Sequence, residues 1–421
     1  MKCINCGTDN KLKDRTANQG RCIKCNHPFA FEPTSMSSVK ITDPFFAKAI
    51  ADISANNTLF FTPKQLLYFL DNRLRAKSFS GFVWLVPFLI VSFFTAIPTS
   101  FTVPFILSFI LFIIFLQSSK SRKLNNKARQ ANAKALQILG GIILTGGILF
   151  SISVNSFPLF FIFVSMGMLS IYLGTRQLGR IGLVTQEFLF TESQVKDWLS
   201  RWQQINGSIL KILPSPKQEN TPATVNPDVT AYSFDRLVVC DSATIAQLLI
   251  ANNFHFENNC AILSITGYPQ SIFDTTMQML RRNPDLKVYA VHDCNPRGIS
   301  LVHRLKTNAS WFLNSEIAII DIGLTPSQII ATKRGMFIQC SPDSAQEAKE
   351  LPQEVRQSLS AEELAWLESG KFVELESFSP QRLIKVLQKG IAGSRNLESD
   401  DSNLLLVGDT GNDMYVVQSF G

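Results

Sequence analysis

Two uncharged stretches, Ser78 to Ser119 and Ala135 to Thr175, constrain this chain more than any other feature of its sequence. Neither contains Asp, Glu, Lys, Arg or His. A membrane-spanning helix needs about 20 mainly apolar residues, so a stretch of about 41 residues predicts a helical hairpin. The sequence therefore predicts a multidomain membrane protein with a four-helix transmembrane region, two hairpins within residues 78–176. The predicted crossings are Phe82–Ile97, Phe101–Leu116, Leu136–Ser153 and Phe157–Leu173.

Basic residues flank both hairpins and predict their orientation. They are Arg73, Arg75 and Lys77 before the first crossing, Lys120, Arg122, Lys123, Lys127, Arg129 and Lys134 between the hairpins, and Arg176 and Arg180 after the last. Because cytoplasmic loops are enriched in Lys and Arg, we expect a multi-pass protein of the plasma (inner) membrane with four spans and both termini cytoplasmic. The predicted crossings contain no ionisable residue, which argues against a transporter. The net charge of +7 over 421 residues is modest and is weak evidence for nucleic-acid binding.

Four of the eight cysteines form two pairs near the N-terminus. Cys3-x-x-Cys6 and Cys22-x-x-Cys25 are separated by fifteen residues, a spacing typical of four-cysteine zinc sites. Four thiolates complete a closed site, so we expect structural zinc, with His27 as a possible substitute ligand. The segment between the pairs is too polar to build a core, so metal would supply its folding energy. This pattern resembles the zinc ribbons that open many bacterial membrane proteins.

The remaining chain divides by composition and by helix signals. Asp43-Pro44 and Thr62-Pro63 each predict the start of a helix, with the first residue as N-cap and proline at the first helical position. A proline-rich segment with few apolar side chains predicts a flexible linker. The predicted segments are a zinc ribbon (1–35), a helical juxtamembrane segment (41–77), the transmembrane region (78–176), an amphipathic helix region (177–213), the linker (214–230), an α/β domain (231–345) and a C-terminal helical and strand extension (346–421).

Strands and helices alternate after the linker. Short apolar runs at 237–240, 261–265, 287–291 and 317–320 predict strands, and the segments between them have helical periodicity. This alternation predicts a parallel sheet covered by helices. Ligands bind such sheets beyond the carboxyl ends of the strands, where this sequence has Asp241, Gly267-Tyr268 and His292-Asp293.

Two motifs in this region resemble a known family. The run Val-Tyr-Ala-Val-His-Asp293-Cys-Asn295-Pro-Arg297-Gly298, preceded by Ser-Ile-Thr-Gly267-Tyr268-Pro, is similar to the Toprim domain found in the A chain of type IIB topoisomerases and in the Spo11 family. The resemblance covers roughly residues 235–326. It implies a site in which one glutamate and two aspartates hold magnesium, which neutralises phosphate charge.

The sequence departs from that implied site at two of its three acidic positions. Asp293 matches the first aspartate, but Asn295 replaces the second and Cys240 replaces the glutamate. A thiolate prefers softer metals than magnesium, so we expect magnesium binding to be much weakened. Asp241 could restore one carboxylate only if the turn after its strand reorients it. The resemblance also implies a nucleophilic tyrosine on a separate domain; in the segment Lys64–Phe69, which echoes that motif, Phe69 takes its place.

The same turn has the features of a phosphate site. Asp293, Asn295, Arg297 and Gly298 lie where a strand meets a helix N-terminus, and Gly267 and Tyr268 lie in the preceding strand-end loop. Backbone N–H groups and a guanidinium there would suit a phosphate ligand without metal. The simpler alternative is that Asp293 and Asn295 only cap the following helix.

Three functions stay open at this stage. The first is a membrane-anchored cytoplasmic binding module with a degenerate, non-catalytic Toprim-like domain that binds nucleic acid, a phosphate ligand or a protein partner. The second is a magnesium-dependent nuclease or topoisomerase-like enzyme using Asp293, Asp241 and Asp321. The third is a structural or assembly protein whose work lies in the membrane hairpins. The sequence predicts neither the ligand nor the oligomeric state.

Overall fold

The computed structural model describes most of the chain outside the first predicted crossing, the linker and the C-terminal tail. The described residues are 1–36, 39–76, 102–121, 124, 126–180, 185–216, 234–283, 286–331 and 336–393. They fall into two compact units, one made of Met1–Leu70, Leu189–Thr332 and Gln339–Gly421, the other of Asp71–Phe188 and Lys333–Ile338. The predicted crossing at 82–97, most of the linker and residues 394–421 lie outside the described residues.

A four-stranded parallel sheet forms the centre of the first unit. The strands are β1 (Arg236–Cys240), β2 (Cys260–Ser264), β3 (Lys287–Val291) and β4 (Ile319–Asp321), in the order β2-β1-β3-β4. The register pairs Cys240 with Ser264 on one side and with Val291 on the other. The parallel sheet confirms the predicted fold of this domain, and it brings the carboxyl ends of all four strands to one edge.

Helices cover both faces of the sheet. They are α8 (Ala243–Ala251), α9 (Phe254–Glu257), α10 (Gln270–Arg282), α11 (Pro296–Ile299), α12 (Leu301–Thr307) and α13 (Pro326–Ala331). Apolar residues of α10 and α12 pack on one face, where Leu280, Leu301 and Leu305 are buried against Val239 and Val288. The sequence predicted one helix over 298–306, but Ser300 divides it into α11 and α12.

The chain continues beyond the sheet with a small antiparallel hairpin and further helices. The elements are β5 (Gln339–Cys340), α14 (Pro342–Lys349), α15 (Gln353–Ser358), α16 (Ala361–Glu368), β6 (Lys371–Phe372), a 3-10 turn (Leu375–Ser377) and α17 (Pro380–Gly393). Backbone hydrogen bonds join Cys294 and Val373 in both directions, at 2.9 and 3.0 Å. This part of the chain is therefore tied directly to the turn that follows β3.

The N-terminal segments belong to the same unit. They contribute α1 (Leu12–Ala17), α2 (Asp43–Ile53), the start of α3 (Pro63–Ala76) and, later in the chain, α7 (Glu192–Asn206). Phe31 and Phe46 pack against Trp202, with ring centroids 6.1 and 5.2 Å from the indole. Asp43 is not the N-cap that the sequence predicts: it is buried, and its carboxylate accepts hydrogen bonds from the backbone N–H groups of Ala30 and Phe31.

The predicted helix over 193–213 ends early. Its C-cap, Gly207, has a φ of +84°, which side-chain-bearing residues rarely adopt, so the helix stops at Asn206. The chain then runs extended, and Ile212 forms a parallel bridge with Phe61.

The second unit contains apolar helices. They are α4 (Thr102–Lys120), α5 (Asn126–Ser153) and α6 (Phe157–Arg180). Two segments are long and apolar enough to cross a membrane, Ala128–Ser153 and Phe157–Gly179, whereas the apolar segment Ile106–Lys120 is shorter. The prediction of four spans is therefore reduced to two candidate spans among the described residues. Neither the number of crossings nor the side on which the termini lie is established by them.

Two residues used to predict the orientation have a different role in the structure. Arg75 is buried and its guanidinium pairs with Asp71 one turn earlier on α3. Arg129 lies inside α5 rather than in a loop, and it is buried with its Nε donating to the carbonyl oxygen of Ser119. Their charges are therefore held by protein groups, and they support the predicted orientation less than exposed loop residues would.

Candidate functional site at the carboxyl ends of the strands

Two aspartates meet where β1 and β3 end. The carboxylate of Asp241, directly after β1, accepts a 2.8 Å hydrogen bond from the backbone N–H of Asp293. The backbone N–H of Asp241 in turn donates to the carbonyl oxygen of Val291. The turn after β1 thus directs Asp241 toward β3. The sequence left this orientation open, and the structure brings the two aspartates together.

Both carboxyl groups are in surroundings that disfavour their charged form. Burial raises the pKa of Asp241, although the N–H of Asp293 and the nearby His292 partly oppose the rise. Burial and the neighbouring Asp241 raise the pKa of Asp293 well above its ordinary value. Oδ1 of Asp241 is buried with no hydrogen-bond partner. The pair therefore carries more negative charge than its immediate donors balance.

The other two positions of the implied metal site offer no carboxylate. Cys240 is fully buried in β1, the central strand between β2 and β3, and its thiol faces protein rather than the edge of the sheet. Asn295 is the N-cap of α11, and its Oδ1 accepts a 2.7 Å hydrogen bond from the N–H of Gly298. The capping alternative is thus correct for Asn295. It is wrong for Asp293, whose Oδ1 instead accepts a 2.7 Å hydrogen bond from the N–H of Leu375.

The remaining predicted ligand residues are only partly brought together. A Cβ on Gly298 would lie 2.1 Å from the carbonyl oxygen of Asp293, so only glycine fits this turn. Arg297 extends outward with a side chain 76% exposed, and its guanidinium pairs with Glu347 at 2.5 Å. Gly267 and Tyr268 follow β2, and β1 lies between them and β3, so they are separated from Asp293 by two strand spacings of roughly 5 Å each.

His292 forms a buried ion pair beside the aspartates. Its Nε2 lies 2.9 Å from Oδ1 of Asp321, and its Nδ1 lies 2.8 Å from the carbonyl oxygen of Asp293. Both partners are acceptors, so both ring nitrogens donate and the imidazolium form is favoured. Burial alone would lower the pKa of His292, but Asp321 raises it to about 9. Asp321 is therefore engaged with His292 rather than with the Asp241–Asp293 pair.

Two glutamates that the sequence analysis missed also reach this site. Glu374 and Glu376 flank Leu375, whose backbone N–H binds Asp293. Both raise the pKa of Asp293 further, after burial and Asp241. Their signal in the sequence is the alternation Val-Glu-Leu-Glu directly after a short strand. It lies beyond residue 345, where the predicted α/β domain ended, and only the pairing of Cys294 with Val373 brings it to the strand ends.

Side chains from the start of α3 cover these glutamates. Nζ of Lys64 lies 2.6 Å from Oε1 of Glu374, and the hydroxyl of Tyr68 donates to Oε2 of Glu374 at 2.6 Å. The hydroxyl of Thr62 donates to Glu376 at 2.6 Å. Burial would lower the pKa of Lys64, but Glu374 raises it above its ordinary value, with smaller contributions from Glu376 and Asp293. Tyr68 is therefore a hydrogen-bond donor to this cluster, and Phe69 is buried beside it on α3.

These residues do not fit the three-carboxylate magnesium site that the resemblance implies. Within the described residues, no three carboxylate, histidine or cysteine groups at the strand ends lie within 4.8 Å of one another. Magnesium takes oxygen ligands at about 2.0–2.1 Å in near-ideal octahedral geometry, which places neighbouring ligand oxygens about 3 Å apart. Asp241 and Asp293 alone remain, and each already accepts from a backbone N–H.

The N-terminal cysteines, in contrast, fit a metal. The four Sγ atoms of Cys3, Cys6, Cys22 and Cys25 lie within 4.8 Å of one another. Two of the Sγ–Sγ distances are 3.6 Å, close to the edge of a tetrahedron with zinc–sulfur bonds of about 2.3 Å. His27 is outside this cluster, since its Nε2 lies 3.1 Å from Oδ1 of Asn206. The four cysteines could thus hold a metal such as zinc, which would join the two knuckles.

Comparison with known proteins agrees with the strand-end motifs. Residues 237–389 match the model of the Toprim domain family of topoisomerase 6, in its A chain, and Spo11. The match begins with β1 and ends in α17, so it includes the Glu374–Glu376 segment and extends beyond the similarity visible in the motifs. No curated protein matches the chain significantly. This chain therefore carries, over residues 237–389, a Toprim domain of the topoisomerase 6 A/Spo11 type.

Proposed function

We propose that this chain is a membrane-attached binding module whose Toprim domain contacts phosphate groups without cleaving them. The observation that carries the proposal is the loss of the metal-binding geometry: Cys240 is buried, Asn295 caps α11, and two aspartates remain. A phosphodiester is cleaved in such a site only when a cation neutralises its charge. Without that cation, the domain keeps the shape of its family but not the means to stabilise the transition state.

The proposed contact surface is the rim of the strand ends around Arg297. This side chain is 76% exposed, and its partner Glu347 is also accessible, so a phosphate can replace the carboxylate at the guanidinium. Arginine binds phosphate in a bidentate manner, which gives orientation as well as affinity. The nearby Gly267–Tyr268 turn would provide backbone groups at the neighbouring strand end. The family match supports nucleic acid as the ligand class to test first.

Membrane attachment is the second part of the proposal. Its support is the pair of helices α5 and α6, which are long and apolar enough to span a bilayer, together with the uncharged sequence of residues 78–119. We propose four spans with both termini cytoplasmic, which leaves the Toprim domain and the cysteine cluster on the same side. A reporter fused after residue 421 should be active only as a cytoplasmic fusion; activity as an external fusion would contradict this topology.

A binding experiment tests the ligand. Fluorescence anisotropy of labelled double-stranded DNA, single-stranded DNA and RNA would be measured with the purified full-length chain, in magnesium and in EDTA. We expect binding that EDTA leaves unchanged and that weakens steeply as salt rises. Arg297→Gln should weaken binding about three- to tenfold, since one charge-assisted phosphate contact is lost. The control is Arg356→Gln, which removes another partly exposed arginine paired with a glutamate, Glu368.

Two results would refute this proposal in different ways. If Arg297→Gln and Arg356→Gln bind equally well, the rim around Arg297 is not the contact surface. If magnesium produces nicked or linear DNA, the chain is an enzyme of the Toprim type, the alternative hypothesis. In that case Asp293→Ala should abolish the product, because Asp293 is the carboxylate that matches the family motif.

One observation favours an assembly role for the apolar helices as a second function. Glycines let α5 and α6 approach closely: a Cβ on Gly140 would lie 2.8 Å from the carbonyl oxygen of Gly167, and one on Gly147 would lie 2.4 Å from the side chain of Phe163. Such small-residue contacts drive helix association in membranes. If assembly were the main function, a chain truncated after residue 213 should retain it fully.

A further inference from the structure

We infer that Lys64 is the resident cation of the Toprim site: its ammonium group balances the strand-end carboxylates in place of a divalent ion. The inference rests on the proposed function, because it explains how the site is stable without metal. The carboxylates concerned are Asp241, Asp293, Glu374 and Glu376, here called the strand-end cluster.

The first step is that the four carboxylates form one continuous group. Asp241 accepts from the N–H of Asp293 at 2.8 Å, and Asp293 accepts from the N–H of Leu375 at 2.7 Å. Glu374 and Glu376 are the immediate neighbours of Leu375. The cluster is thus linked through the backbone from the end of β1 to the 3-10 turn, and Oδ1 of Asp241 is buried within it without a partner.

The second step is that Lys64 supplies the opposite charge from outside the sheet. Nζ of Lys64 lies 2.6 Å from Glu374, and Thr62 and Tyr68 of the same helix end donate hydrogen bonds to Glu376 and Glu374. The side chain of Gln65 adds a hydrogen bond to the carbonyl oxygen of Phe378. Because several contacts fix the start of α3 on this loop, the ammonium is held in position rather than being a mobile surface charge.

The third step is that the other cation in this region is committed elsewhere. His292 donates to Asp321 and to the backbone carbonyl of Asp293, so its charge balances Asp321. Arg304 contributes only a weak electrostatic effect on Asp241. Lys64 is the described cation with a direct contact to the strand-end cluster. An ammonium at this place repels a divalent cation strongly, because their interaction in a partly buried site is several kcal/mol at about 5 Å.

The inference has a functional consequence. A site that contains its own ammonium cannot admit magnesium unless α3 is displaced or Lys64 is replaced. Removing the charge should release the Glu374 carboxylate, which Lys64 now holds, to turn toward Asp293. The chain would then gain a cation site that the natural sequence suppresses.

Manganese binding to the purified, zinc-loaded full-length chain tests this directly. Free Mn²⁺ would be measured by electron paramagnetic resonance during titration of wild type, Lys64→Gln and Lys64→Arg. We expect no specific binding in wild type or Lys64→Arg, and binding at least about tenfold tighter in Lys64→Gln. Adding Asp293→Asn to Lys64→Gln should remove the gain. Lys48→Met, which neutralises an exposed lysine on α2, is the control for a general charge effect.

The outcomes separate this inference from the proposed function. If Lys64→Gln binds Mn²⁺ no better than wild type, Lys64 is not the resident cation, while the non-cleaving module stands. If wild type itself binds Mn²⁺ and Asp293→Asn abolishes that binding, the proposed function fails as well. Lys64→Met provides a second neutral variant should Lys64→Gln not fold, which its thermal unfolding would reveal.

Discussion

The His292–Asp321 pair gives a prediction that can be worked out quantitatively. Replacing Asp321 with Asn keeps the shape of the side chain and the acceptor that binds the N–H of Gly323, but removes the charge that holds His292 protonated. The pKa of His292 rises from 6.5 to about 9 in the folded chain. By linkage, such a rise corresponds to roughly 3 kcal/mol at most. Because the Asp321 side chain is 39% exposed, solvent screening reduces the expected value to about 1–2 kcal/mol.

The sign of the pH dependence follows from the raised pKa. The folded state binds the His292 proton more tightly than the unfolded state, so this stability is fully present below pH 6.5 and is lost as pH rises through about 9. Asp321→Asn should therefore destabilise β3 and β4 at about pH 7, and the difference from wild type should shrink above pH 9.

Hydrogen exchange of the full-length chain measures this difference locally. Mass spectrometry of peptides covering β3 and β4, corrected for intrinsic exchange, should show protection about 5- to 30-fold lower in Asp321→Asn at about pH 7. The matched control is the exposed pair His303–Glu354, where Glu354→Gln should change little because the carboxylate is 78% exposed. Parallel protection profiles for wild type and Asp321→Asn from about pH 6 to 9.5 would refute the reasoning.

Three further predictions concern the site, the helix pair and the metal cluster. Asp293→Asn should raise the stability of the folded domain near neutral pH by about 1 kcal/mol, because a raised carboxyl pKa destabilises the charged form as pH rises; a lower melting temperature would contradict it. Gly298→Ala should cost about 3 kcal/mol in denaturant unfolding, since its Cβ would overlap a carbonyl oxygen; an unchanged midpoint would count against this. Gly147→Ala should lower the melting temperature in detergent more than Gly146→Ala, which has open space around it; equal effects would argue against close packing there. Cys22→Ser should reduce bound zinc from one per chain to none, measured by elemental analysis; retained zinc would exclude the four-cysteine site.

The parts of the fold that follow from local sequence were predicted well. The strand over 287–291 has the predicted bounds, and the other strands of the sheet differ by one or two residues, because short apolar runs between polar turns identify buried parallel strands. The helix that Ser360 opens with a capping box also forms. The failures are at glycines: the helix after Thr191 stops at Gly207, whose positive φ was not foreseen, and α17 continues through Gly390, which was expected to end it.

The candidate site was predicted only where its residues lie in the recognisable motif. Asp241, Asp293 and Asn295 follow strands and could be placed from sequence. Glu374 and Lys64 could not, because they reach the site through tertiary contacts across 310 residues of chain, and no local pattern encodes that pairing. The sequence could weigh which metal ligands were lost, but not which group balances the charge that remains.

The proposed function depends above all on the domain having no magnesium-dependent chemistry, and a plasmid assay can decide this. Supercoiled DNA would be incubated with the purified full-length chain in magnesium, in manganese and in EDTA, and the products separated by electrophoresis. We expect the chain to retard the plasmid equally in all three conditions and to leave it supercoiled. Nicked, linear or relaxed DNA that forms only with the divalent ion, and is lost in Asp293→Ala, would show that the domain cleaves and that the proposal is wrong.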